Sequence, residues 1–95
     1  MRAEKRTYRI EVTPRARKDL KALPTRERQQ VAEQIDALKT DPRTSGCKKL
    51  KGREDFYRIR VGNYRVVYQI EDEVLFILIV RVGDRKDIYE IIRRL

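Results

Sequence analysis

The chain has 95 residues, enough for one hydrophobic core and therefore for a single domain spanning residues 1–95. Apolar residues make up 40% of it and charged residues 41%, a balance that favours a compact fold with a densely charged surface over a disordered chain. Lysine and arginine (24 residues) outnumber aspartate and glutamate (15 residues), and the net charge of +9 favours a polyanionic partner, with nucleic acid the first candidate.

The apolar segments are short. The longest uninterrupted one, Val74–Val80, is far below the roughly 20 residues that a membrane-spanning helix needs. The charged N-terminus leads directly into a strand pattern, without the apolar stretch of a secretory signal. The single cysteine, Cys47, has no second cysteine for a disulfide and no histidine for a metal site. We therefore expect a cytoplasmic protein that needs no membrane, metal or cofactor.

The first part of the chain predicts a strand followed by two helices. Apolar and polar residues alternate over Tyr8–Val12, as in a half-buried strand. Thr13 is placed to cap a first helix, with Pro14 at the first helical position, and Pro24 ends that helix. Apolar residues at helical spacing predict a second helix over Thr25–Lys39, capped by its threonine. The two helices should form a hairpin.

A turn-rich loop, Thr40–Gly46, separates this hairpin from the rest of the chain. Three further strands are predicted at Phe56–Val61, Tyr64–Ile70 and Val74–Val82, and their short connections indicate an antiparallel meander. A terminal helix is predicted within Asp87–Leu95.

This order of elements predicts an α+β fold. We expect the N-terminal strand to join a small, mainly antiparallel four-stranded sheet, with the helical hairpin packed on one face and a short C-terminal helix. The opposite face is then partly open. Alternation along the strand after the loop directs Ile59 and Val61 toward the helices, which leaves Arg58 and Arg60 on the open face.

Cationic side chains should gather on that open face. Arg65 follows Arg58 and Arg60 across a Gly-Asn turn, and Arg81 and Arg85 come from the end of the last strand. Clustered cations repel one another, and a bound phosphate would offset that repulsion. The alternative is that these are solvated strand arginines whose stems cover apolar surface.

Aromatic and basic residues nearby extend this pattern. Tyr57 and Tyr89 are close enough in sequence to the arginines to stack on bases, although partly buried core tyrosines fit equally well. Lys48, Lys49 and Lys51 form a basic segment suited to binding an RNA backbone or to solvation alone. The chain contains no histidine and no glycine-rich phosphate loop, which excludes imidazole acid-base chemistry and the common nucleotide-binding motifs.

Three motifs in this order resemble the RelE branch of the RelE/ParE toxin superfamily: Lys49–Gly52, Tyr57–Tyr68 and Val82–Tyr89. With the N-terminal strand and helical hairpin, the resemblance covers nearly the whole chain. It implies an endoribonuclease, an mRNA interferase that enters the ribosomal A site and cuts the bound codon. It also implies a monomeric toxin that a small acidic antitoxin inactivates by forming a hetero-oligomer with it.

The resemblance also places the family's functional residues. The two basic residues of the catalytic strand fall on Arg58 and Arg60, and the arginine of the next strand falls on Arg65. The late arginine and tyrosine fall on Arg85 and Tyr89. The basic segment and Arg81 are the expected additional RNA contacts.

Two departures from the family pattern concern proton transfer. Similar toxins often carry lysine where this chain has Arg58 and Arg60, and many carry histidine at the position of Asp84. Arginine stays protonated far above neutral pH, so Arg60 is suited to stabilising charge rather than to removing a proton. Cleavage should therefore depend on the ribosome to hold the RNA in line for attack.

Two other functions remain open from the sequence. One is a ParE-like toxin that binds DNA gyrase, and the other is a nucleic-acid-binding module without catalysis. Neither accounts for the late pair of Arg85 and Tyr89, which favours the nuclease.

Overall fold

The computed structural model describes residues 7–95 and builds them into one sheet with three helices. The elements in chain order are β1 (Arg9–Val12), α1 (Pro14–Lys21), α2 (Thr25–Ala37), β2 (Lys48–Lys49), β3 (Phe56–Val61), β4 (Tyr64–Glu71), a 3₁₀ turn (Asp72–Val74), β5 (Phe76–Asp84) and α3 (Ile88–Arg93).

The strands lie in the order β1-β5-β4-β3-β2, and only the β1–β5 pair is parallel. The predicted α+β fold with a mainly antiparallel sheet and a short C-terminal helix is confirmed. The sheet has five strands rather than the four predicted, because Lys48–Lys49 pairs with β3. Two residues are too few for any periodic pattern, so this strand had no signal in the sequence.

The helical hairpin begins and ends largely at the capping and proline residues predicted from the sequence. The Thr13 hydroxyl accepts a hydrogen bond from the Ala16 amide at 3.0 Å, and Pro14 is the first residue of α1. The predicted cap at Thr25 is wrong: Pro24 is the capping residue, and no side chain caps the helix. Helix α2 ends at Ala37, two residues before the predicted end.

Both helices pack on one face of the sheet and enclose the main core. Ala16, Val31 and Ile35 supply the helical side of that core, each less than 10% exposed. The strand side contains the inward-facing residues of β3, β4 and β5: Ile59, Val61, Val66, Tyr68, Ile70, Ile77, Ile79 and Val82. The alternation predicted for β3 therefore holds, with Ile59 and Val61 in the core.

The last strand differs from its prediction at both ends. Val74 lies in the 3₁₀ turn and is exposed, and the chain reverses at Leu75, whose φ is 51°. Strand β5 begins only at Phe76 and continues to Asp84. The apolar run predicted a strand start at Val74 because hydropathy does not report a left-handed residue inside it.

Helix α3 covers part of the other sheet face. Gly83 pairs with Arg65 in the sheet register, so a side chain at position 83 would share the face of Arg65. A Cβ atom built on Gly83 would lie 3.1 Å from the Ile91 Cδ1 and 3.3 Å from the Ile88 Cδ1. Glycine at this position thus lets α3 approach β5 closely. No helix within residues 7–95 is long and apolar enough to cross a membrane.

Candidate functional site

The β3–β4 hairpin brings the strand arginines together. Its two-residue turn is possible because Gly62 adopts a φ of 59°, a left-handed conformation that glycine tolerates with little strain. This turn fixes a register in which Arg60 lies directly opposite Arg65 and Arg58 lies opposite Val67. Cross-strand partners project from the same face, so the three arginines share the face opposite the main core.

Arg65 is the buried centre of this group, with only 7% of its surface exposed. Its Nη1 donates hydrogen bonds to the carbonyl oxygens of Gly62 at 3.1 Å and Tyr64 at 3.0 Å. Its Nε is also buried and has no hydrogen-bond partner within residues 7–95. No carboxylate in that range forms an ion pair with Arg65, so the turn holds a guanidinium group whose charge is uncompensated.

The electrostatic surroundings of Arg65 contain the other four predicted catalytic residues. Burial lowers the pKa of Arg65, and the positive charges of Arg60, Arg58 and Arg85 lower that pKa further. The phenol of Tyr89 acts in the opposite direction and raises the same pKa. All five residues therefore belong to one local cluster, which we call the arginine cluster: Arg58, Arg60, Arg65, Arg85 and Tyr89.

Members of the arginine cluster differ in their access to solvent. Arg58 is 9% exposed and is buried with Arg65, whereas Arg60 and Arg85 are exposed and Tyr89 is 55% exposed. The cluster thus combines two buried arginines with three exposed side chains. Such an arrangement suits a polyanion that approaches from solvent and ends with one phosphate on the buried pair.

The backbone after β5 positions the late members of the cluster. The Arg85 amide donates a hydrogen bond to the Asn63 carbonyl at 2.7 Å, which ties the end of β5 to the hairpin turn. Asp84 Oδ1 accepts hydrogen bonds from the amides of Lys86 at 2.8 Å and Asp87 at 2.9 Å. The carboxylate of Asp84 thus shapes the turn into α3, whose first turn carries Tyr89.

The basic segment lies beside the arginine cluster. Lys48 is paired with Arg58 in the register of β2 and β3, so it extends the cationic face by one strand. Lys49 is paired with Tyr57 and projects to the opposite side, and Lys51 lies in the following loop. All three lysines are exposed. Of the three, register places Lys48 nearest to the cluster.

Arg81 has a different environment from the one the sequence suggested. Its Nε lies 2.8 Å from Asp19 Oδ2 and its Nη2 lies 3.2 Å from Asp19 Oδ1, with the two side chains only 17% and 15% exposed. Asp19 Oδ2 also accepts a hydrogen bond from the Val82 amide at 2.9 Å. This pair joins α1 to β5 and neutralises Arg81. Arg81 therefore has a structural partner and does not join the arginine cluster.

Sequence reasoning missed Asp19 itself, although it carries a signal. It is the one acidic residue among the eight of α1, which is otherwise rich in lysine and arginine. A lone carboxylate in a basic helix is a natural partner for a cation on the packed strand. Within residues 7–95 no group of three or more histidine, cysteine, aspartate or glutamate side chains is arranged to hold a metal ion.

Comparison with known proteins places this chain in a family. The family model described as the ParE toxin of the type II toxin-antitoxin system parDE matches residues 10–89, most of the chain. The chain belongs to this family of toxins. Its relatives place it on the RelE side: the mRNA interferase toxin RelE of Escherichia coli is 30% identical over 93 residues, which cover 93% of this chain and 97% of that protein.

Two further relatives also support membership of the RelE branch. Toxin RelG of Mycobacterium tuberculosis is 35% identical over 83 residues, covering 86% of this chain and 95% of that protein. Among solved structures, the archaeal RelE–RelB complex from Pyrococcus horikoshii matches with a TM-score of 0.75 and 31% identity, over 83% of this chain and 96% of that chain. The predicted membership of the RelE branch is confirmed, while the roles of individual residues in the arginine cluster remain predictions.

Proposed function

We propose that this RelE-type toxin is an endoribonuclease that cuts messenger RNA bound in the ribosomal A site. The observation that carries the proposal is the buried, uncompensated guanidinium of Arg65 at the centre of the arginine cluster. Burying a charge without a partner costs stability, and a transferring phosphate supplies the missing negative charge. The name of the Escherichia coli relative, an mRNA interferase, supports the same activity.

The reaction is an attack by the ribose 2′-hydroxyl on the adjacent phosphorus. A bond forms from the 2′-oxygen to phosphorus and the bond from phosphorus to the 5′-oxygen breaks, which leaves a 2′,3′-cyclic phosphate and a free 5′-hydroxyl. The 2′-hydroxyl proton passes to water, and the leaving 5′-oxygen takes a proton from water. Negative charge develops on the phosphoryl oxygens during this step, and that is where cationic donors accelerate it.

Each member of the arginine cluster has a role in this scheme. Arg58 and Arg65, the buried pair, donate hydrogen bonds to the phosphoryl oxygens and neutralise their charge. Arg85 lies beside the leaving 5′-oxygen, and Tyr89 stacks on a base to orient the nucleotide. Arg60 contributes positive charge at the exposed side, because an arginine side chain does not act as a base near neutral pH.

Dependence on the ribosome follows from the absence of a good base. Without histidine, the toxin gains little from proton transfer, so most of the rate must come from positioning and charge. Holding the reacting atoms in line supplies on the order of 7–11 kcal/mol. The ribosome holds the A-site codon in a fixed conformation, and free RNA should be cut poorly.

Primer extension on a message in a translating extract, with and without ribosomes, tests this proposal. The native toxin should produce cuts within A-site codons only when ribosomes are present, and Arg85→Ala should abolish them. Arg17→Ala is the matched control, because it removes the same charge from an exposed position on α1. Equal cutting of naked and ribosome-bound RNA would contradict the mechanism.

A second candidate function is inhibition of DNA gyrase, because the matching family model is that of ParE toxins. A gyrase-binding toxin needs no cluster of phosphate-binding side chains, which makes this the weaker candidate. Blocked growth without any messenger RNA cuts, together with loss of supercoiling by purified gyrase, would favour it over the nuclease.

The proposal includes an acidic antitoxin that holds the toxin inactive in the cytoplasm. The solved relatives from Pyrococcus horikoshii and Methanococcus jannaschii are RelE–RelB toxin–antitoxin complexes, which supports a partner of this kind here. The net charge of +9 favours an acidic partner. We expect the toxin to be monomeric when alone and to form a hetero-oligomer with the antitoxin.

A further inference from the structure

An open groove runs between α2 and the β3–β4 hairpin, on the side of β3 that faces away from β4. Strand β2 pairs only with Tyr57 and Arg58, so no strand within residues 7–95 covers this edge of β3 beyond them. The groove has a volume of about 520 Å³, within the range of roughly 300–1,000 Å³ that small ligands occupy. It is lined by Gln30, Glu33, Gln34, Arg60, Val61 and Gly62.

The side of the groove formed by α2 is lined by polar side chains. Gln30, Glu33 and Gln34 are spaced by three and four residues, so they lie on one face of α2. All three are exposed, and none of them forms a side-chain hydrogen bond or an ion pair with another residue in the range 7–95. Two amides and a carboxylate therefore face the groove with their hydrogen-bonding capacity unused.

Arg60 connects the groove to the arginine cluster. Arg60 is one of the residues that line the groove, and it lies directly opposite Arg65 in the register of β3 and β4. Among the neighbouring charges that lower the pKa of Arg65, the charge of Arg60 has the largest effect. A nucleotide chain held by the cluster at one phosphate would therefore pass Arg60 on its way to the groove. The turn residue Gly62 leaves this route open, because nothing lies within 4 Å of the position that a Cβ would take.

We infer that this groove binds the base of the nucleotide next to the scissile phosphate, and that Gln30, Glu33 and Gln34 determine which base is accepted. The inference rests on the proposed cleavage of RNA and adds to it a site for base recognition. Arg60 contacts the phosphate of that nucleotide, and the α2 side chains contact the edge of its base. Contacts to phosphate position an RNA chain, whereas contacts to base edges carry the specificity.

The chemistry of the lining favours guanine. The carboxylate of Glu33 only accepts hydrogen bonds, and guanine presents two adjacent donors, N1–H and the N2 amino group, on its Watson–Crick edge. Uracil presents a single donor between two carbonyl oxygens, which the carboxylate repels. The amides of Gln30 and Gln34 both donate and accept, so they can pair with the remaining groups of either base. The negative charge of Glu33 also keeps the phosphate at Arg60, outside the groove.

The test compares cleavage profiles on a message with randomised codons in a translating extract. Glu33→Gln replaces an acceptor-only group by one that also donates, so preference for guanine over uracil at one codon position should fall by about three- to tenfold, the range expected for one hydrogen bond. Gln34→Ala should broaden preference at the same position. Gln29→Ala is the matched control, because Gln29 is exposed on α2 but does not line the groove.

The groove assignment is overturned if Glu33→Gln and Gln34→Ala leave the cleavage profile unchanged or reduce cleavage equally at all codons. The nuclease proposal stands in that case. Absence of ribosome-dependent cuts by the native toxin overturns both.

A binding measurement gives a result that does not depend on cleavage. The side-chain amide signals of Gln30 and Gln34 are followed by NMR in the Arg85→Ala variant, titrated with 2′-O-methyl trinucleotides that cannot be cut. These two signals should shift with a guanine-containing trinucleotide, and less with the uracil counterpart. Equal shifts at Gln29, or no preference between the two trinucleotides, count against the inference.

Discussion

Arg65 combines a buried positive charge with surroundings that do not compensate it. It is buried, lacks a carboxylate partner within residues 7–95, and lies near three other arginines that lower its pKa. Its two hydrogen bonds go to the carbonyl oxygens of Gly62 and Tyr64 at the hairpin turn. We therefore expect Arg65 to be retained for binding an anionic ligand rather than for stabilising the fold.

We expect Arg65→Met to preserve or raise stability while abolishing cleavage. Methionine keeps the length of the buried stem and removes the uncompensated charge, so the free energy of unfolding should stay equal or rise by about 1 kcal/mol. Cleavage should fall at least about 100-fold, as when one donor to a developing negative charge is lost. Urea unfolding and primer extension measure the two effects, with exposed Arg60→Met as the control for stability. A loss of several kcal/mol would show that Arg65 is structural.

Strand alternation and family resemblance predicted four of the arginines that gather, but they also included Arg81, which does not join them. Arg58 and Arg65 project opposite the core as alternation requires. Arg81 is instead neutralised by Asp19, 62 positions away in the sequence. Such a pairing depends on how α1 docks on β5, and local patterns carry no information about that docking.

Tyr68 makes stability sensitive to alkaline pH. Its ring is fully buried in the core, and its hydroxyl donates a hydrogen bond to the Pro42 carbonyl at 2.7 Å. Burial raises the pKa of Tyr68 far above its usual value near 10. The folded state therefore holds a proton that the unfolded state loses, so this contribution to stability is complete below about pH 10 and declines as the pH rises further.

Tyr68→Phe should separate two effects of the Tyr68 hydroxyl on stability: its hydrogen bond at neutral pH and its ionisation at alkaline pH. At neutral pH the variant should lose about 1 kcal/mol with the hydrogen bond to Pro42. Above pH 10 its stability should decline less steeply than that of the native toxin. The variant lacks a phenol that stays protonated in the folded state and ionises in the unfolded state. Urea unfolding at pH 7 to 11 gives both values. Parallel curves across this range would show that Tyr68 does not control the alkaline response.

At the scale of elements, the face that carries the arginine cluster depends on a helix of only six residues. Helix α3 carries Tyr89, and it is held against β5 by Ile88, which is fully buried, and by Ile91. A helix this short is not stable by itself in water, so its packing on Gly83 determines whether Tyr89 is in place.

Ile88→Ala should therefore impair cleavage as a substitution of Tyr89 itself would, because it displaces the helix that carries Tyr89. Removing this buried side chain costs about 2–5 kcal/mol, and most of that loss should fall on α3 because the main core does not contain Ile88. Backbone amides of α3 should lose hydrogen-exchange protection while those of β4 keep theirs. Cleavage should drop to the level of Tyr89→Ala. Arg93→Ala, an exposed change on the same helix, should leave both properties unaltered.

The elements that sequence patterns missed are the shortest ones. The two residues of β2 and the 3₁₀ turn before β5 contain too few positions to show a period. Longer elements with a clear period, such as α2 and β3, were predicted within two residues of their ends. The groove beside β3 is a consequence of the short β2, so its existence could not be predicted either.

At the scale of the whole molecule, positive charge lies on both the sheet and the layer of helices packed against it. The sheet face carries the arginine cluster, and α1 on the helical layer adds exposed Arg15, Arg17, Lys18 and Lys21. None of these four side chains has an ion-pair partner within residues 7–95. A polyanion that surrounds the toxin therefore meets positive charge on both sides, which fits an antitoxin that wraps around it better than one that covers a single patch.

Electrostatic attraction should dominate the rate at which an acidic antitoxin captures this toxin. The net charge of +9 steers an oppositely charged partner over distances comparable to the Debye length, about 10 Å at 0.1 M salt. Raising the salt concentration from 0.05 to 0.5 M should slow association about tenfold and change the dissociation rate much less. Stopped-flow association of the toxin with its cognate antitoxin measures both rates.

The double variant Arg15→Glu and Arg17→Glu provides the matched test, because it lowers the net charge without touching the arginine cluster. Each substitution removes one positive charge and adds one negative charge, so the variant should associate more slowly than the native toxin at low salt. At 0.5 M salt the two proteins should associate at similar rates, since screening removes the long-range attraction in both. An association rate independent of salt would mean that shape and apolar contact, rather than charge, govern the capture of this toxin.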